Sequence, residues 1–256
     1  MTGVQTCALP ILLKGEKLKA AQSYLKAVKL DNKKSDTWQR ILAIEAEANL
    51  LDSLAKHATE AVETFPNNAN FWYYQGIGNL GIRKYQNAIN SFEEGKRLVF
   101  NNPKQLEDFN LRLGDAYNGT KQYAESDASY EAVLKNSPNN AFALNNYSYY
   151  LALRKERIDY AKNLAERLTN TTPNNATFLD TYAWVLYVAK DYQKARKIQE
   201  KALQIASNGT FLEHYGDILF QLGEKESAVE QWQKAKKQGG TSVQIDKKIS
   251  ERKIIE

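Results

Sequence analysis

The chain has 256 residues, of which 43% are hydrophobic and 25% are charged. This composition excludes a disordered or collagen-like chain, and no apolar run approaches the roughly 20 residues that a membrane helix needs. The net charge of +5 is too small and too dispersed to indicate a nucleic-acid binder, and the single cysteine excludes an internal disulfide or a thiolate zinc site.

The first eleven residues, MTGVQTCALPI, carry no charge and no helical periodicity. They resemble the translation of a common short-read sequencing adapter, which predicts that residues 1–11 are not native. A short secretory signal is the alternative, but the segment lacks a basic beginning and a long apolar stretch. We therefore expect the fold to begin at residue 12, and the native N-terminus, with any signal or anchor, to lie upstream.

The rest of the chain repeats with a period of about 34 residues. Pro-Asn-Asn recurs at 66–68, 138–140 and 173–175, each time after an amphipathic run and before an aromatic-rich one. Its asparagines are suited to capping the helix that follows. Between these marks a small residue precedes a ring by four positions, as Ala88 precedes Phe92. The pattern predicts pairs of helices that pack closely where a side chain is small.

These features resemble the tetratricopeptide repeat, a two-helix unit with the spacing W-x-x-L-G-x-x-Y, then Ala, Phe and Pro. Partial matches lie at Trp72 with Gly76 and at Leu113-Gly114 with Tyr117. The resemblance implies an all-α, right-handed solenoid of antiparallel helical hairpins. Its predicted parts are a half repeat at 12–34, repeats at 35–68, 69–102, 107–140, 141–175, 176–208 and 209–242, and a C-terminal capping helix within 243–256.

The half repeat at 12–34 has a second helix but no first helix. We therefore expect Leu18, Tyr24, Leu25 and Val28 to lack the partners that a preceding repeat would supply, and further repeats to lie upstream. The stretch 243–256 has instead the polar outer face that a terminal cap needs.

Two glycine-rich motifs suggest nucleotide binding at first sight. Residues 76–81 match G-x-G-x-x-G, and residues 114–121 approach a phosphate loop. Both lie in helical patterns without a preceding strand, so we expect neither to bind phosphate. The two histidines, His57 and His214, belong to no metal-binding motif. No catalytic residue, cofactor or metal site is predicted.

In tetratricopeptide arrays the first helix of each repeat lines a groove that meets the partner. The resemblance implies a protein or peptide segment bound there, and acids and rings on these helices favour a basic segment. Gln39 occupies such a position on the first of these helices. The predicted contact residues are Tyr73, Asp115, Asn118, Asn145, Tyr149, Asp180, Trp184, Tyr187, Glu213, Asp217 and Phe220. For Tyr149, Trp184 and Tyr187, packing within the array is an equal alternative.

We therefore predict a non-catalytic scaffold for a partner protein. The runs 144–151, 180–187 and 213–219 are similar to the C-terminal arrays of bacterial cell-envelope tetratricopeptide proteins, which favours the periplasm or outer membrane over the cytoplasm. The alternatives are the docking portion of a larger enzyme whose catalytic domain lies upstream, and a cytosolic adaptor. No nucleic-acid partner is expected.

Overall fold

The computed structural model describes residues 17–255. Within this range the chain forms fourteen α-helices and no strand, so the all-α prediction is confirmed. The predicted non-native segment and the first residues of the half repeat lie outside the described residues. In chain order the helices are α1 (Lys17–Leu30), α2 (Ser35–Glu47), α3 (Leu51–Thr64), α4 (Ala69–Gly81), α5 (Tyr85–Arg97), α6 (Pro103–Gly119), α7 (Tyr123–Asn136), α8 (Ala141–Arg154), α9 (Ile158–Thr171), α10 (Ala176–Val188), α11 (Tyr192–Ile205), α12 (Gly209–Gln221), α13 (Lys225–Gln238) and α14 (Ile245–Glu251).

The chain divides into two compact parts between Asn136 and Ser137. We call residues 17–136 the N-terminal half, which holds α1–α7, and residues 137–255 the C-terminal half, which holds α8–α14. In each half, successive helices are joined by short turns and pack against each other. Two successive antiparallel helices joined by such a turn form a helical hairpin.

The second asparagine of each Pro-Asn-Asn mark caps the helix that follows it. The side-chain oxygen of Asn68 accepts from the backbone N–H of Asn70 at 3.0 Å, and that of Asn175 accepts from Phe178 at 3.1 Å. Asn140 caps α8 in the same way. These bonds confirm the predicted capping role. They stabilise the helices because a helix leaves its first backbone N–H groups without an internal partner.

Large rings pack on glycines where the two helices of a hairpin cross. A Cβ atom at Gly114 would lie 2.7 Å from the ring of Tyr130, and one at Gly216 would lie 2.5 Å from the ring of Trp232. Both rings are fully buried. The predicted packing of small against large residues is therefore confirmed, because only glycine leaves room for the ring at these crossings.

The expectation that Tyr24, Leu25 and Val28 lack partners is wrong. Tyr24 and Val28 are buried in a core that includes Trp38 and Ile41, and Leu25 packs against the same core. The reason is that α2, the first helix of the next hairpin, covers the apolar side of α1. The side chain of Leu18 lies outside the described residues.

Both glycine-rich motifs lie in helical hairpins. Residues 76–81 lie within α4, and residues 114–121 span the last turns of α6 and the turn that follows it. Neither has the strand before it that a phosphate-binding loop needs, as predicted. Across residues 17–255, no group of His, Cys, Asp and Glu side chains is arranged to hold a metal ion. No described helix combines the length and the apolar character required to cross a membrane.

Candidate functional site

The first helices of three successive hairpins in the N-terminal half, α2, α4 and α6, border a cavity of about 210 Å³. We call this cavity the first-helix pocket. Residues three and four positions apart lie on one side of a helix, so α4 and α6 each contribute a short row of side chains, and α2 contributes one residue. The pocket is lined by Gln39, Asn70, Tyr73, Tyr74, Gln105 and Asp108. Of these, Tyr73 is a predicted contact residue.

Side-chain hydrogen bonds tie neighbouring helices together across this pocket. Gln39 Nε2 donates to the hydroxyl of Tyr74 at 3.2 Å, and Gln105 Nε2 donates to Asn70 Oδ1 at 2.8 Å. Each of these bonds joins residues 35 positions apart. Among the residues that the structure describes, Gln39 Oε1 and Asn70 Nδ2 make no hydrogen bond. Both atoms are therefore available to a ligand in the pocket.

The tyrosines of the pocket are held by their surroundings. The ring of Tyr73 packs edge-on against Phe109, with 5.3 Å between centroids, and lies 5.9 Å from Phe92. Its hydroxyl accepts from Arg112 Nε at 3.5 Å. Burial, together with the nearby Tyr73, raises the pKa of Tyr74, so its hydroxyl keeps its proton at neutral pH.

The two predicted contact residues on α6 lie outside the first-helix pocket. Asp115 Oδ1 accepts from the hydroxyl of Tyr130 at 2.6 Å, and its Oδ2 lies 3.7 Å from Arg112 Nη1. The carboxylate of Asp115 thus has partners within the chain. Asn118 is half-buried near the end of α6.

The predicted acids of the C-terminal half belong to a buried group of charges, the C-terminal charge cluster. It consists of Asp180, Glu213, His214, Asp217 and Lys248. Asp180 Oδ1 lies 3.0 Å from His214 Nδ1. Lys248 Nζ lies 2.7 Å from Asp217 Oδ2 and 2.8 Å from Glu213 Oε1. Buried charges require such partners, because burial removes them from water.

Polar groups nearby complete the hydrogen bonding of the cluster. Gln199 Nε2 donates to Asp180 at 2.7 Å, and Trp232 Nε1 donates to Asp217 at 2.9 Å. The backbone N–H and the hydroxyl of Ser242 donate to Glu213 at 2.7 and 2.5 Å. The predicted acids are therefore bound within the chain, and their contact with a partner stays a prediction.

The charges of the cluster shift one another's pKa values. Burial opposes the charged form of His214, but Asp180 and, to a smaller degree, Asp217 and Glu213 raise its pKa above 6.5 on balance. Burial also opposes ionisation of Glu213, yet hydrogen bonds from Lys248 and Ser242 lower its pKa. Burial raises the pKa of Asp217, although Lys248 works in the opposite direction.

The predicted aromatic contact residues of the C-terminal half pack within the array. Trp184 lies between His214 and Tyr187, with centroid distances of 4.4 and 4.8 Å. Phe220 stacks on Trp232 at 5.8 Å. Burial, with Asp180 nearby, raises the pKa of Tyr149. These contacts favour the packing alternative for Trp184 and Tyr187, and a role in partner binding stays a prediction for the whole set.

Two buried polar atoms on the first helices of the C-terminal half lack hydrogen bonds within residues 17–255. Asn145 Oδ1 and Trp184 Nε1 are buried, and neither makes a hydrogen bond with any described residue. A buried polar atom without a partner costs about 1–3 kcal/mol. Both belong to predicted contact residues, on α8 and α10.

The sequence pattern did not identify four residues of the first-helix pocket, Asn70, Tyr74, Gln105 and Asp108, or the basic partner Lys248. The repeat length of 34 or 35 residues could have identified some of them. Asn70 and Gln105 are 35 positions apart, and Lys248 follows His214 by 34 positions. Residues one period apart lie on neighbouring equivalent helices, so polar pairs at this spacing are candidates for direct contact.

Comparison with known sequences gives one family model and a distant relative. The family model described as "Tetratricopeptide repeat" matches residues 107–140, the bounds of one of the predicted repeats. The TPR repeat-containing protein MJ1428 of Methanocaldococcus jannaschii is 21% identical over 85% of this chain. The chain spans 46% of that relative, about half of its length.

Solved structures share the fold at low sequence identity. A tetratricopeptide repeat protein from Parabacteroides merdae superposes with a TM-score of 0.77 at 15% identity, over 97% of both chains. YrrB, described as a TPR protein with an unusual peptide-binding site, gives a TM-score of 0.56 at 18% identity, over 80% of this chain and 99% of its own.

Proposed function

Because the chain is a tetratricopeptide-repeat protein, we propose that it is a non-catalytic scaffold that holds a segment of a partner protein on the first helices of its hairpins. The observation that carries this proposal is the first-helix pocket, where three neighbouring first helices meet around a polar cavity. The description of YrrB as peptide-binding supports a peptide segment as the class of ligand.

Two side-chain atoms of the pocket can each bond the backbone of an extended segment. Gln39 Oε1 can accept from a backbone N–H, and Asn70 Nδ2 can donate to a backbone C=O. Packed helices lie about 8–10 Å apart, and an extended chain advances about 3.3 Å per residue. An extended segment would therefore spend about three residues in crossing from one first helix to the next.

A basic partner segment remains part of the proposal, with a different carboxylate as its contact. Asp180, Glu213 and Asp217 are buried among partners of their own, whereas Asp108 lines the pocket and its side chain is 45% exposed. Asp108 lies 3.4 Å from Lys104, an exposed pairing that a partner's arginine or lysine can replace at little cost.

Site-specific crosslinking in cells tests this proposal. A photoreactive amino acid at position 105 lines the pocket, and one at position 86, exposed on the second helix α5, serves as the control. We expect position 105 to capture a defined peptide of a partner, identified by mass spectrometry, and position 86 not to capture it. Gln39→Ala should reduce the capture. Equal crosslinking at both positions, or capture indifferent to Gln39→Ala, would contradict the proposal.

The cell-envelope location is proposed as well, on the similarity of residues 144–151, 180–187 and 213–219 to arrays of that compartment. The genomic reading frame upstream of Leu12 tests it. A lipoprotein or secretory signal there supports the envelope scaffold. A catalytic domain in that position would support the docking alternative instead, and the absence of both would support a cytosolic adaptor.

A further inference from the structure

A larger cavity of the N-terminal half, of about 600 Å³, lies between the second helices α3 and α5, with α4 as its floor. We call it the second-helix groove. The residues of each wall are spaced by three or four positions, which places them on one side of their helix. The walls are lined by Asp52, Lys56 and Thr59 on α3 and by Asn87, Asn90, Ser91 and Glu94 on α5, and the floor by Trp72, Gln75, Asn79 and Ile82.

The floor is polar where the fold predicts apolar residues. Helix α4 packs against both α3 and α5, so its side toward them belongs to the interior. The residues one repeat away from Gln75, Ile41 and Leu113, are fully buried and apolar. Asn79, one turn further along, is itself buried. Asn79 Nδ2 donates to the backbone oxygen of Gln75 at 3.0 Å. Polar groups are tolerated here because they have hydrogen-bond partners, and they leave side-chain amides along the groove where the equivalent positions carry apolar residues.

Hydrogen bonds hold the floor in one arrangement before any ligand arrives. Gln75 Nε2 donates to Thr59 Oγ1 at 3.0 Å, and Ser91 Oγ donates to Gln75 Oε1 at 2.8 Å. Gln75 is thus fixed from both walls. The indole N–H of Trp72 donates to the backbone oxygen of Pro66 at 2.7 Å, which fixes the ring at the edge of the groove. Preorganised groups lose little entropy on binding.

The charges of the groove balance. Asp52 and Glu94 oppose Lys56 and Lys84, so the lining gives no net attraction to an anion or a cation. This argues against nucleotides and other phosphates, which bind where positive charge or free backbone N–H groups dominate.

The shape and lining also argue against a peptide. Peptide recognition uses pockets for alternate side chains, and the apolar lining here is limited to Ala55, Ile82 and the ring of Trp72. Each wall extends over eight residues, whose seven rises of 1.5 Å make about 10 Å. A ligand of that length must be compact and rich in groups that both donate and accept hydrogen bonds, as side-chain amides and hydroxyls do.

We propose that the second-helix groove binds a neutral saccharide of one or two rings, with its hydroxyls bonded to the amides and hydroxyls of the floor and walls. An aromatic ring at the edge offers an apolar surface to the C–H face of a sugar. The volume suits a small ligand, since such sites measure about 300–1,000 Å³. This site is separate from the first-helix pocket and does not depend on the partner protein.

Nuclear magnetic resonance on the full ¹⁵N-labelled chain tests the proposal. The probes are maltose, cellobiose, lactose and N,N′-diacetylchitobiose, with glucose 6-phosphate and trialanine as the anionic and peptide comparisons. The Trp72 indole N–H signal is assigned through Trp72→Phe. We expect at least one neutral disaccharide to shift this signal saturably, and more tightly than either comparison. Saturation by none of the disaccharides, or equal binding of trialanine or the phosphate, overturns the proposal.

Two variants locate the binding in the groove. Gln75→Leu installs the residue type that is buried at position 113, so we expect binding to weaken about tenfold or more with no loss of thermal stability. Asn87→Ala changes only an exposed wall residue and should weaken binding without affecting the fold. Gln193→Leu, at an exposed position of α11, is the matched control. Wild-type affinity in both Gln75→Leu and Asn87→Ala overturns the proposal.

Discussion

The ammonium group of Lys248 lies 2.7 Å from the carboxylate of Asp217, and both side chains are almost completely buried. Lys248 belongs to α14, a helix of only seven residues. The same ammonium group also pairs with Glu213. One lysine of a short terminal helix therefore compensates two buried acids on α12, so the last hairpin depends electrostatically on α14.

Replacement of Lys248 by methionine should destabilise the C-terminal half. The change leaves two buried carboxylates without their cation, and breaking a buried pair by removing one partner costs about 3–5 kcal/mol. Urea unfolding followed by circular dichroism measures the loss. The carboxylates can escape it by binding protons, so the destabilisation should grow as the pH rises from 5 to 8.

Lys247→Met is the matched control for this prediction, because Lys247 is the exposed neighbour on the same helix. It should leave the unfolding midpoint nearly unchanged. A Lys248→Met chain as stable as the Lys247→Met chain would contradict the buried ion pairs.

Titration of His214 should make the stability depend on pH. Its folded-state pKa is raised above the value of about 6.5 expected in the unfolded chain. The stabilisation from protonated His214 is therefore fully present below about pH 6.5 and is lost as the pH rises through the raised value. Comparison of the wild type with His214→Gln by urea unfolding between pH 5.5 and pH 8.5 isolates this contribution. A stability advantage of the wild type that increases with pH would show that the sign is wrong.

Substitution of Gly76 by leucine should overpack a helix crossing. A Cβ atom at this position already overlaps the ring of the buried Phe92. We expect a loss of roughly 1–3 kcal/mol in the free energy of unfolding, measured by thermal and urea denaturation. Gln86→Leu, exposed on α5, is the control for the added side chain. The second change Phe92→Leu should recover part of the loss, and strictly additive effects would argue against this contact.

Removal of one asparagine cap should weaken a single hairpin. Asn175→Ala removes the acceptor of the Phe178 backbone N–H at the start of α10, which costs about 1 kcal/mol. The preceding Asn174 is exposed and makes no such bond, so Asn174→Ala should have little effect. Thermal melting of the two variants separates them. Equal destabilisation would mean that the identity of the capping residue does not matter.

The hairpin architecture could be predicted from the sequence because its physical causes are local and recur. A glycine opposite a ring, as at Gly114 and Tyr130, recurs in three repeats, and an asparagine caps every first helix from α4 to α12. The sites were harder to predict because they depend on which residues differ between repeats. Gln75 alone gives no indication of a site. It is unusual only in comparison with Leu113, the buried apolar residue at the equivalent position of the next repeat.

The acidic residues of the first helices show most directly what a periodic sequence pattern cannot predict. A periodic pattern places Asp180, Glu213 and Asp217 on these helices, but it does not show whether another helix of the same chain reaches them. The partner of Asp180 is His214, one period later, and the partner of the other two is Lys248, one period later again. A search for opposite charges at the repeat spacing would have paired them.

The position of Lys248 has a consequence for anyone who wishes to lengthen this protein. Lys248 occupies the place on α14 that His214 occupies on α12, so the terminal helix stands where the opening helix of an additional repeat would begin. An engineered extension should therefore be spliced in place of α14 rather than appended after it. Its first grafted helix should carry a lysine at the position of Lys248, so that Glu213 and Asp217 keep their counter-ion.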